Sequence, residues 1–496
     1  MSFVCNLPLF MINGSLFMAA LSVLLKKRAV EVTTIWIAIL MVMDAMVLRH
    51  TIESGQFTYT MGEFPAPWGN EIRAGVLETL VLLVLLGVIL FSLIGGRKYL
   101  KVQIEEAKHN LYYVLMNLSV AAVCALIFTN DVFSGYVFLE ILTMASCGLM
   151  IATGEGKTTL AAIRYMVLNL FGSGFFLLSV ILLYSMTGHL LMVPMSDAIS
   201  ELLTNPEMKL SLAFAMGVMT LGIGIKSGLF PFYYWMPDTY GWSTPTTASI
   251  MSSVVSKTYI FLLIKIYYRV FGLENLKELP LRYILFALGI MGMIFGSIAA
   301  IREKGINRMV ALSSAAQIGY IYMTIGMGYH AAYAAAVFHL LGHSVTKSLL
   351  FITTPRLVDV SGGNYEFRYL QGSALKNPLA GYMFTACAFS MVGIPIFVGF
   401  SSKLFIIMAA SLAKTKVIFY LAIAALVIST ILNALYFIRT VIRIFSRPEG
   451  DGVIIEKTKI EPSFALSSVG LMAVNVFMGI MPMVVYGLIE SGLLQL

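Results

Sequence analysis

Charged side chains are scarce in this sequence: Asp, Glu, Lys and Arg make up 12% of the 496 residues, about half the share of an ordinary soluble domain. Apolar and aromatic residues make up 59%. Because so few polar groups cannot cover the surface of a water-soluble protein of this size, the composition excludes a soluble enzyme. It predicts an all-α protein that crosses a membrane many times.

Cysteine is also rare, and its placement excludes several kinds of site. The four cysteines lie inside apolar runs, and no two of them form a Cys-x-x-Cys pair. A disulfide framework, a zinc site and an iron–sulfur cluster are therefore not expected, and we expect no cofactor or metal. The net charge of +8 fits basic cytoplasmic loops better than nucleic acid, which is not an expected partner.

Long apolar windows predict about fourteen transmembrane helices in contact with the lipid bilayer. They lie near residues 4–25, 30–48, 74–95, 111–130, 132–153, 159–187, 210–232, 243–268, 279–301, 309–328, 331–353, 378–409, 417–445 and 464–489. No basic segment precedes the first window, so no cleavable signal peptide is predicted.

The basic residues of the loops predict the orientation of the chain. Alternate loops, beginning with Lys26, Lys27 and Arg28, hold more than twice as many Lys and Arg residues as the others. Since cytoplasmic loops are the basic ones, we expect both termini outside, with the chain in the inner (cytoplasmic) membrane of the cell.

Ionisable residues recur inside the predicted spans, where each one costs about 2.5–3.5 kcal/mol. They are Glu140, Lys226, Lys257, His339, His343, Lys347 and Lys403. The spacing of four between His339, His343 and Lys347 places them on one helix face. Since burial and a nearby carboxylate can move a lysine between its charged and neutral forms, we interpret the set as a proton relay. Ion pairs that only fix helix packing are the alternative.

Four other charged residues favour simpler interpretations. Lys265 and Arg164 lie near span ends, where a long side chain can reach the membrane surface. For Lys265 we expect this rather than a place in the relay. Asp44 and Glu78 are expected to pair with Arg49 and Arg73 at that surface.

Two spans contain helix-breaking residues at Phe230-Pro231 and around Gly393 and Pro395. Lys226 precedes the first break and Lys403 follows the second, an order that favours an inverted-topology repeat. The predicted organisation is a three-helix segment (1–110), two five-helix repeats (111–268 and 279–445), and a cytoplasmic loop with a C-terminal helix (446–496).

The segment from Lys226 to Asp238, followed by Ser243–Ser249 and Lys257, resembles the signature of antiporter-like membrane subunits. This superfamily includes the subunits of Mrp sodium/proton antiporters, respiratory complex I and membrane-bound hydrogenases. The family order also holds for Glu140, Asn307, Arg308, His339 to Lys347, and Gly393 to Lys403. The similarity covers about residues 110–445, and the D-type Mrp subunits match best.

The resemblance implies a fourteen-helix fold with two inverted five-helix repeats, each with a broken helix. It also implies that Glu140 pairs with Lys226, and that Lys257, the two histidines and Lys403 continue the hydrophilic axis.

Three residues are implied to support this axis: Arg164, Asp238 and Gln317. Arg164 stands where the family commonly has lysine, and since arginine scarcely deprotonates it can tune Glu140 but not carry a proton. Gln317 stands where histidine is frequent, so it can orient water but cannot titrate.

The leading hypothesis is therefore a proton-translocating subunit of a multi-subunit membrane complex, with sodium/proton antiport as one possible reaction. Its partners would be other membrane subunits of an Mrp-like or a hydrogenase- or complex I-like assembly, and any redox chemistry would belong to those chains. A stand-alone secondary transporter and a structural membrane subunit are the competing hypotheses.

Overall fold

The computed structural model describes residues 3–25, 28–64, 69–278, 280–447 and 456–496. Lys26 and Lys27, which entered the prediction of orientation, lie outside the described residues, as do residue 279 and the segment 448–455 of the predicted cytoplasmic loop.

The described chain is almost entirely helical. Its first part contains α1 (Leu7–Leu25), α2 (Ala29–Ser54), α3 (Val76–Gln103), α4 (His109–Phe128), α5 (Val132–Ile151), α6 (Gly156–Thr187), α7 (Met192–Leu202), α8 (Pro206–Ser227), α9 (Met236–Trp242), α10 (Pro245–Ile250), α11 (Ser256–Ile266) and α12 (Leu273–Glu278). Its second part contains α13 (Leu281–Arg302), α14 (Ile306–Gly326), α15 (His330–Asp359), α16 (Ser373–Lys376), α17 (Pro378–Val392), α18 (Val398–Ser411), α19 (Lys416–Phe445), α20 (Pro462–Ile480) and α21 (Pro482–Leu494).

Smaller elements connect these helices. Short 3₁₀ helices cover Phe3–Asn6, Met61–Glu63, Glu106–Lys108, Phe232–Trp235 and Phe367–Tyr369. Wider π-helical turns, Met251–Val255 and Tyr267–Phe271, precede and follow α11. Strands β1 (Phe57–Thr60) and β2 (Glu71–Ala74) form an antiparallel hairpin in which Phe57 pairs with Ala74.

The predicted all-α polytopic membrane fold is confirmed. Helices lie at all fourteen predicted positions, and twelve candidate spans among the described residues are long and apolar enough to cross a membrane. The other two positions are α14, which is long enough but more polar, and the span that is divided into α17 and α18. The inverted relation between residues 111–268 and 279–445 stays a prediction.

Both predicted helix breaks are present. The helix α8 ends at Gly228, which adopts a left-handed backbone (φ +78°), and α17 ends at Gly393 in the same region (φ +96°). Glycine reaches this region without the steric cost of a side chain, so it ends a helix readily. Each break leaves carbonyl groups of the last turn free to bind other donors.

Two helical spans form the centre of the molecule. The apolar windows of Pro245–Phe271 and His330–Asp359 are buried over their whole length. These spans carry most of the buried lysine and histidine residues, which would be costly against lipid. Packing them inside a ring of apolar helices is what places the polar groups next to one another.

Candidate proton pathway

Glu140 and Lys226 lie together between α5 and the last turn of α8. Their Oε2 and Nζ atoms are 3.6 Å apart. The Lys226 ammonium donates a closer hydrogen bond, 2.8 Å long, to Thr143 Oγ1, and Ser173 donates one to Glu140. Lys226 is fully buried while the Glu140 side chain is 22% exposed. The lysine is therefore held by a neutral oxygen with a partly accessible carboxylate next to it.

Close packing and hydroxyl groups fix this pair. A Cβ added at Gly222 would lie 2.6 Å from the carbonyl oxygen of Gly172, so these two glycines let α8 approach α6. The Tyr259 hydroxyl on α11 lies 3.0 Å from Thr143 Oγ1, and Lys226 Nζ lies 5.6 Å from the Tyr259 ring centroid. Tyr259 thus links the pair to the central helix.

Lys257 lies at the start of α11, immediately after the first π-helical turn. Its Nζ donates to the carbonyl oxygen of Ser252 at 2.5 Å and to Ser256 Oγ at 3.2 Å. Among the described residues it forms no ion pair with a carboxylate.

The predicted column on α15 is present. The rings of His339 and His343 are nearly parallel, with centroids 6.1 Å apart. His339 Nδ1 lies 3.1 Å from Ser402 Oγ, whereas neither ring nitrogen of His343 has a hydrogen-bond partner among the described residues. Lys347 Nζ donates to the Val310 carbonyl oxygen at 2.7 Å. All three column residues are buried.

Lys403 binds the carbonyl groups that the second helix break leaves free. Its Nζ donates to the carbonyl oxygens of Met391 at 3.1 Å and Val392 at 2.7 Å, and to Thr430 Oγ1 at 3.1 Å. The ammonium therefore caps the end of α17 from its position on α18.

A small cavity joins Lys403 to the histidine column. Its polar lining consists mainly of Gln317, His339, His343, Ser402 and Lys403. The volume of about 10 Å³ is close to what one water molecule requires. The structure thus brings Gln317 to the site that the sequence indicated for it.

Arg164 forms no ion pair with Glu140 among the described residues. Its Nη1 instead forms an ion pair with Asp238 Oδ2 at 3.2 Å, and Arg308 binds the other oxygen of the same carboxylate. The Arg164 side chain is 61% exposed. Because Asp238 lies on α9, immediately beyond the first break, this bridge joins α6, α9 and α14. The implied tuning of Glu140 by Arg164 stays a prediction.

Replacing Asp238 with Asn is expected to destabilise the protein modestly. The carboxylate accepts from Arg164 and Arg308, and its side chain is 25% exposed. Partly exposed ion pairs contribute little, so we expect a loss of about 1 kcal/mol. Thermal unfolding of the detergent-solubilised protein measures it. The matched control is Glu53→Gln, in an exposed pair with Arg49; an equal effect of both variants would show that the bridge contributes nothing.

Lys265 does not reach the membrane surface. Its side chain is fully buried, its Nζ lies 3.5 Å from Glu78 Oε1, and it donates to the Ile127 carbonyl oxygen at 2.7 Å. The prediction of a surface-directed side chain is therefore wrong, because Glu78 at the start of α3 supplies a buried carboxylate beside Lys265. Glu78 does pair with Arg73 as expected, at 2.5 Å, but both side chains are buried.

Asp44 also differs from its prediction. Arg49, its expected partner, pairs with Glu53 one turn further along α2. Asp44 itself is completely buried, and neither carboxylate oxygen has a hydrogen-bond partner among the described residues.

Sequence reasoning missed the hydroxyl groups that surround the charged residues. Three of these hydroxyl groups lie within hydrogen-bond distance of a lysine or histidine of the pathway: Thr143, Ser402 and Thr430. The hydroxyl of Tyr259 lies within hydrogen-bond distance of Thr143. Serine, threonine and tyrosine are common in membrane helices and have no distinctive spacing, so only the packing identifies these four.

Comparison with known proteins identifies the family. The profile described as "NADH:quinone oxidoreductase/Mrp antiporter, TM" matches residues 129–433, which is more than half of the chain. The chain belongs to this family.

Relatives in this family are similar to the chain over most of the length of both proteins. The "NADH-quinone oxidoreductase subunit N" of Desulforudis audaxviator (strain MP104C) is 32% identical over 443 residues, covering 88% of this chain and 86% of that protein. The D-type subunit of the "Na(+)/H(+) antiporter" of Alkalihalophilus pseudofirmus (strain ATCC BAA-2126 / JCM 17055 / OF4) is 27% identical, covering 75% and 73%. A chain in the solved Mrp complex from Dietzia sp. DQ12-45-1b has the same fold, with a TM-score of 0.87 at 21% identity, covering 99% of this chain and 97% of that one.

Proposed function

We propose that this chain is a proton-translocating subunit of a multi-subunit membrane complex. The observation that carries the proposal is the Glu140–Lys226 pair, in which a buried ammonium lies 3.6 Å from a partly accessible carboxylate. Such a pair can alternate between a closed ion pair and an open state. The lysine keeps its proton more readily in the closed state, because the carboxylate favours the charged form.

The remaining buried bases extend the route from this pair. Lys257 donates hydrogen bonds to two neutral oxygens and has no carboxylate partner among the described residues. Neutral imidazole accepts a proton at one nitrogen and donates from the other, so His339 and His343 suit transfer toward Lys403. We propose that Lys347 supports this column through its bonds to α14.

The family supports a proposal for the partners of the chain. Relatives are named as subunits of a sodium/proton antiporter and of an NADH-quinone oxidoreductase, so we propose that this chain assembles with other membrane subunits of that kind. Protons are the transported ion and sodium is the candidate counter-ion. We further propose that the chain lies in the inner membrane with both termini outside. We also propose the two inverted repeats, and the opposite placement of Lys226 and Lys403 relative to their helix breaks supports them.

The test is proton movement in proteoliposomes that contain the whole complex, purified through a tag on this chain. Glu140→Gln is expected to slow coupled proton movement at least about tenfold, because the amide cannot stabilise the Lys226 ammonium as a carboxylate does. The complex should still assemble, since Thr143 keeps its bond to Lys226.

The matched control is Glu105→Gln, which alters an exposed carboxylate paired with Lys108 and should leave the rate unchanged. Wild-type proton movement in the Glu140→Gln complex would refute the role of the pair. If the tagged chain purifies alone and transports by itself, the stand-alone transporter is the correct function.

A further inference from the structure

The central helix that carries Lys257 also carries Lys265, which forms a second buried pair with a carboxylate from another helix. Lys265 follows Lys257 by eight residues on α11, a rise of about 12 Å, and faces Glu78 at the start of α3. Both side chains of this second pair are completely buried. The route from Glu140 to Lys403 does not use them.

The geometry of this second pair closely matches that of the first. The Nζ of Lys265 lies 3.5 Å from Glu78, and the Nζ of Lys226 lies 3.6 Å from Glu140. Each lysine also donates a shorter bond to a neutral oxygen, 2.7 Å to the Ile127 carbonyl in one case and 2.8 Å to Thr143 in the other. In both places the ammonium has a neutral acceptor that can hold it while the carboxylate changes partner.

The charges around Glu78 leave Lys265 as the group that can lose a proton. Arg73 contacts Glu78 at 2.5 Å, and Arg269, only 7% exposed, has two guanidinium nitrogens without partners among the described residues. Since buried arginine keeps its proton and Arg73 already compensates Glu78, the excess positive charge falls on Lys265.

This cluster also reaches the surface at the β1–β2 hairpin. Arg73 lies on β2 and donates to the side chain of Gln56, which is exposed, and to the carbonyl oxygen of Gln495. Asn130 binds the partly exposed Glu71 on the same strand. Polar groups thus continue from the buried lysine to the exposed side of the hairpin.

We propose that Lys265 and Glu78 form a second proton-transfer site, which exchanges protons between the hairpin surface and Lys257. In this step the Lys265 ammonium gives one proton to water on the hairpin side, while Arg73 keeps Glu78 paired. The neutral amine then takes one proton that leaves Lys257, and Lys257 regains one from the Glu140–Lys226 side of the proposed route, so each cycle moves a single proton and returns both lysines to their charged forms. The proposal rests on the proposed function of the chain.

The test compares Lys265→Arg and Lys265→Met in proteoliposomes of the whole complex. Arginine keeps the charge but does not release a proton, and methionine removes both. Because Arg73 still compensates Glu78, neither variant leaves an unpaired carboxylate, and assembly should be preserved. We expect coupled proton movement to fall at least about tenfold in both variants. The matched controls are Lys98→Arg and Lys98→Met, at an exposed lysine paired with Asp359 and Glu461, which should keep the wild-type rate.

Lys265→His gives a readout that a structural role would not change. Imidazole titrates at lower pH than an amine, so the pH at which proton movement is fastest should move downward if Lys265 transfers protons. Normal transport by Lys265→Arg, or failure of every Lys265 variant to assemble, would assign the pair a structural role and overturn the proposal.

Glu140→Gln, measured in parallel, separates this inference from the proposed function. If Glu140→Gln is slow and Lys265→Arg is normal, only the second site is wrong. If Glu140→Gln is also normal, the proposed function itself fails.

Discussion

Lys226→Met is expected to abolish coupled proton movement, with a loss of at least about 100-fold, which is the range for removing a positioned proton-transfer group. The methionine side chain is similar in length but can neither hold a proton nor pair with Glu140. The carboxylate is 22% exposed and keeps the hydrogen bond from Ser173, so assembly should survive. Acidification of proteoliposomes that contain the whole complex gives the rate, and size-exclusion chromatography of the purified complex reports assembly.

Lys226→Arg distinguishes proton transfer from simple charge pairing. Arginine keeps the positive charge beside Glu140 but scarcely deprotonates. A proton-transfer role therefore predicts that this variant is nearly as slow as Lys226→Met. If Lys226→Arg restores the wild-type rate, the lysine only neutralises the carboxylate and the relay is wrong at its first step.

Lys403→Met is expected to cost both transport and stability. Lys403 donates to the carbonyl oxygens of Met391 and Val392 and to Thr430. Removing it leaves carbonyls at the helix break without that donor, which costs about 1–3 kcal/mol for a buried unsatisfied group. Proton movement should fall at least about 100-fold, because the route loses its final base. Thermal unfolding and the proteoliposome assay measure the two effects separately.

Two further variants separate these effects. Lys403→Arg keeps donors near the same carbonyls and should preserve stability while transport stays slow. Thr430→Val removes a single hydrogen bond from the same ammonium and should cost about 1 kcal/mol with little loss of rate. Normal transport by Lys403→Arg would contradict a proton-transfer role for Lys403.

The sequence predicted the helices well because the evidence for them is local. Runs of about 20 apolar residues and the glycine and proline of the two breaks are visible without knowledge of packing. The column of His339, His343 and Lys347 was also predictable, since a spacing of four residues fixes a helix face.

The errors concern residues whose partners come from distant helices. The place of Lys265 near a span end predicts a surface position, but Glu78, far away in the chain, meets it from the first turn of α3. Arg164 pairs with Asp238, which the break after α8 brings to it. Which helix faces which is decided by packing, and no single span encodes it.

The cavity beside Lys403 has a consequence for ion selectivity. A hard metal cation that sheds its hydration shell needs about six oxygen ligands in exchange. The chamber holds roughly one water molecule, and its titratable neighbours, His339, His343 and Lys403, are all bases that repel a cation when charged. On the proposed route a proton passes along one water and two rings, whereas a space of this volume does not hold an alkali ion together with several water ligands. If the chain translocates protons in this way, a sodium counter-flow would take a separate passage, away from the histidines.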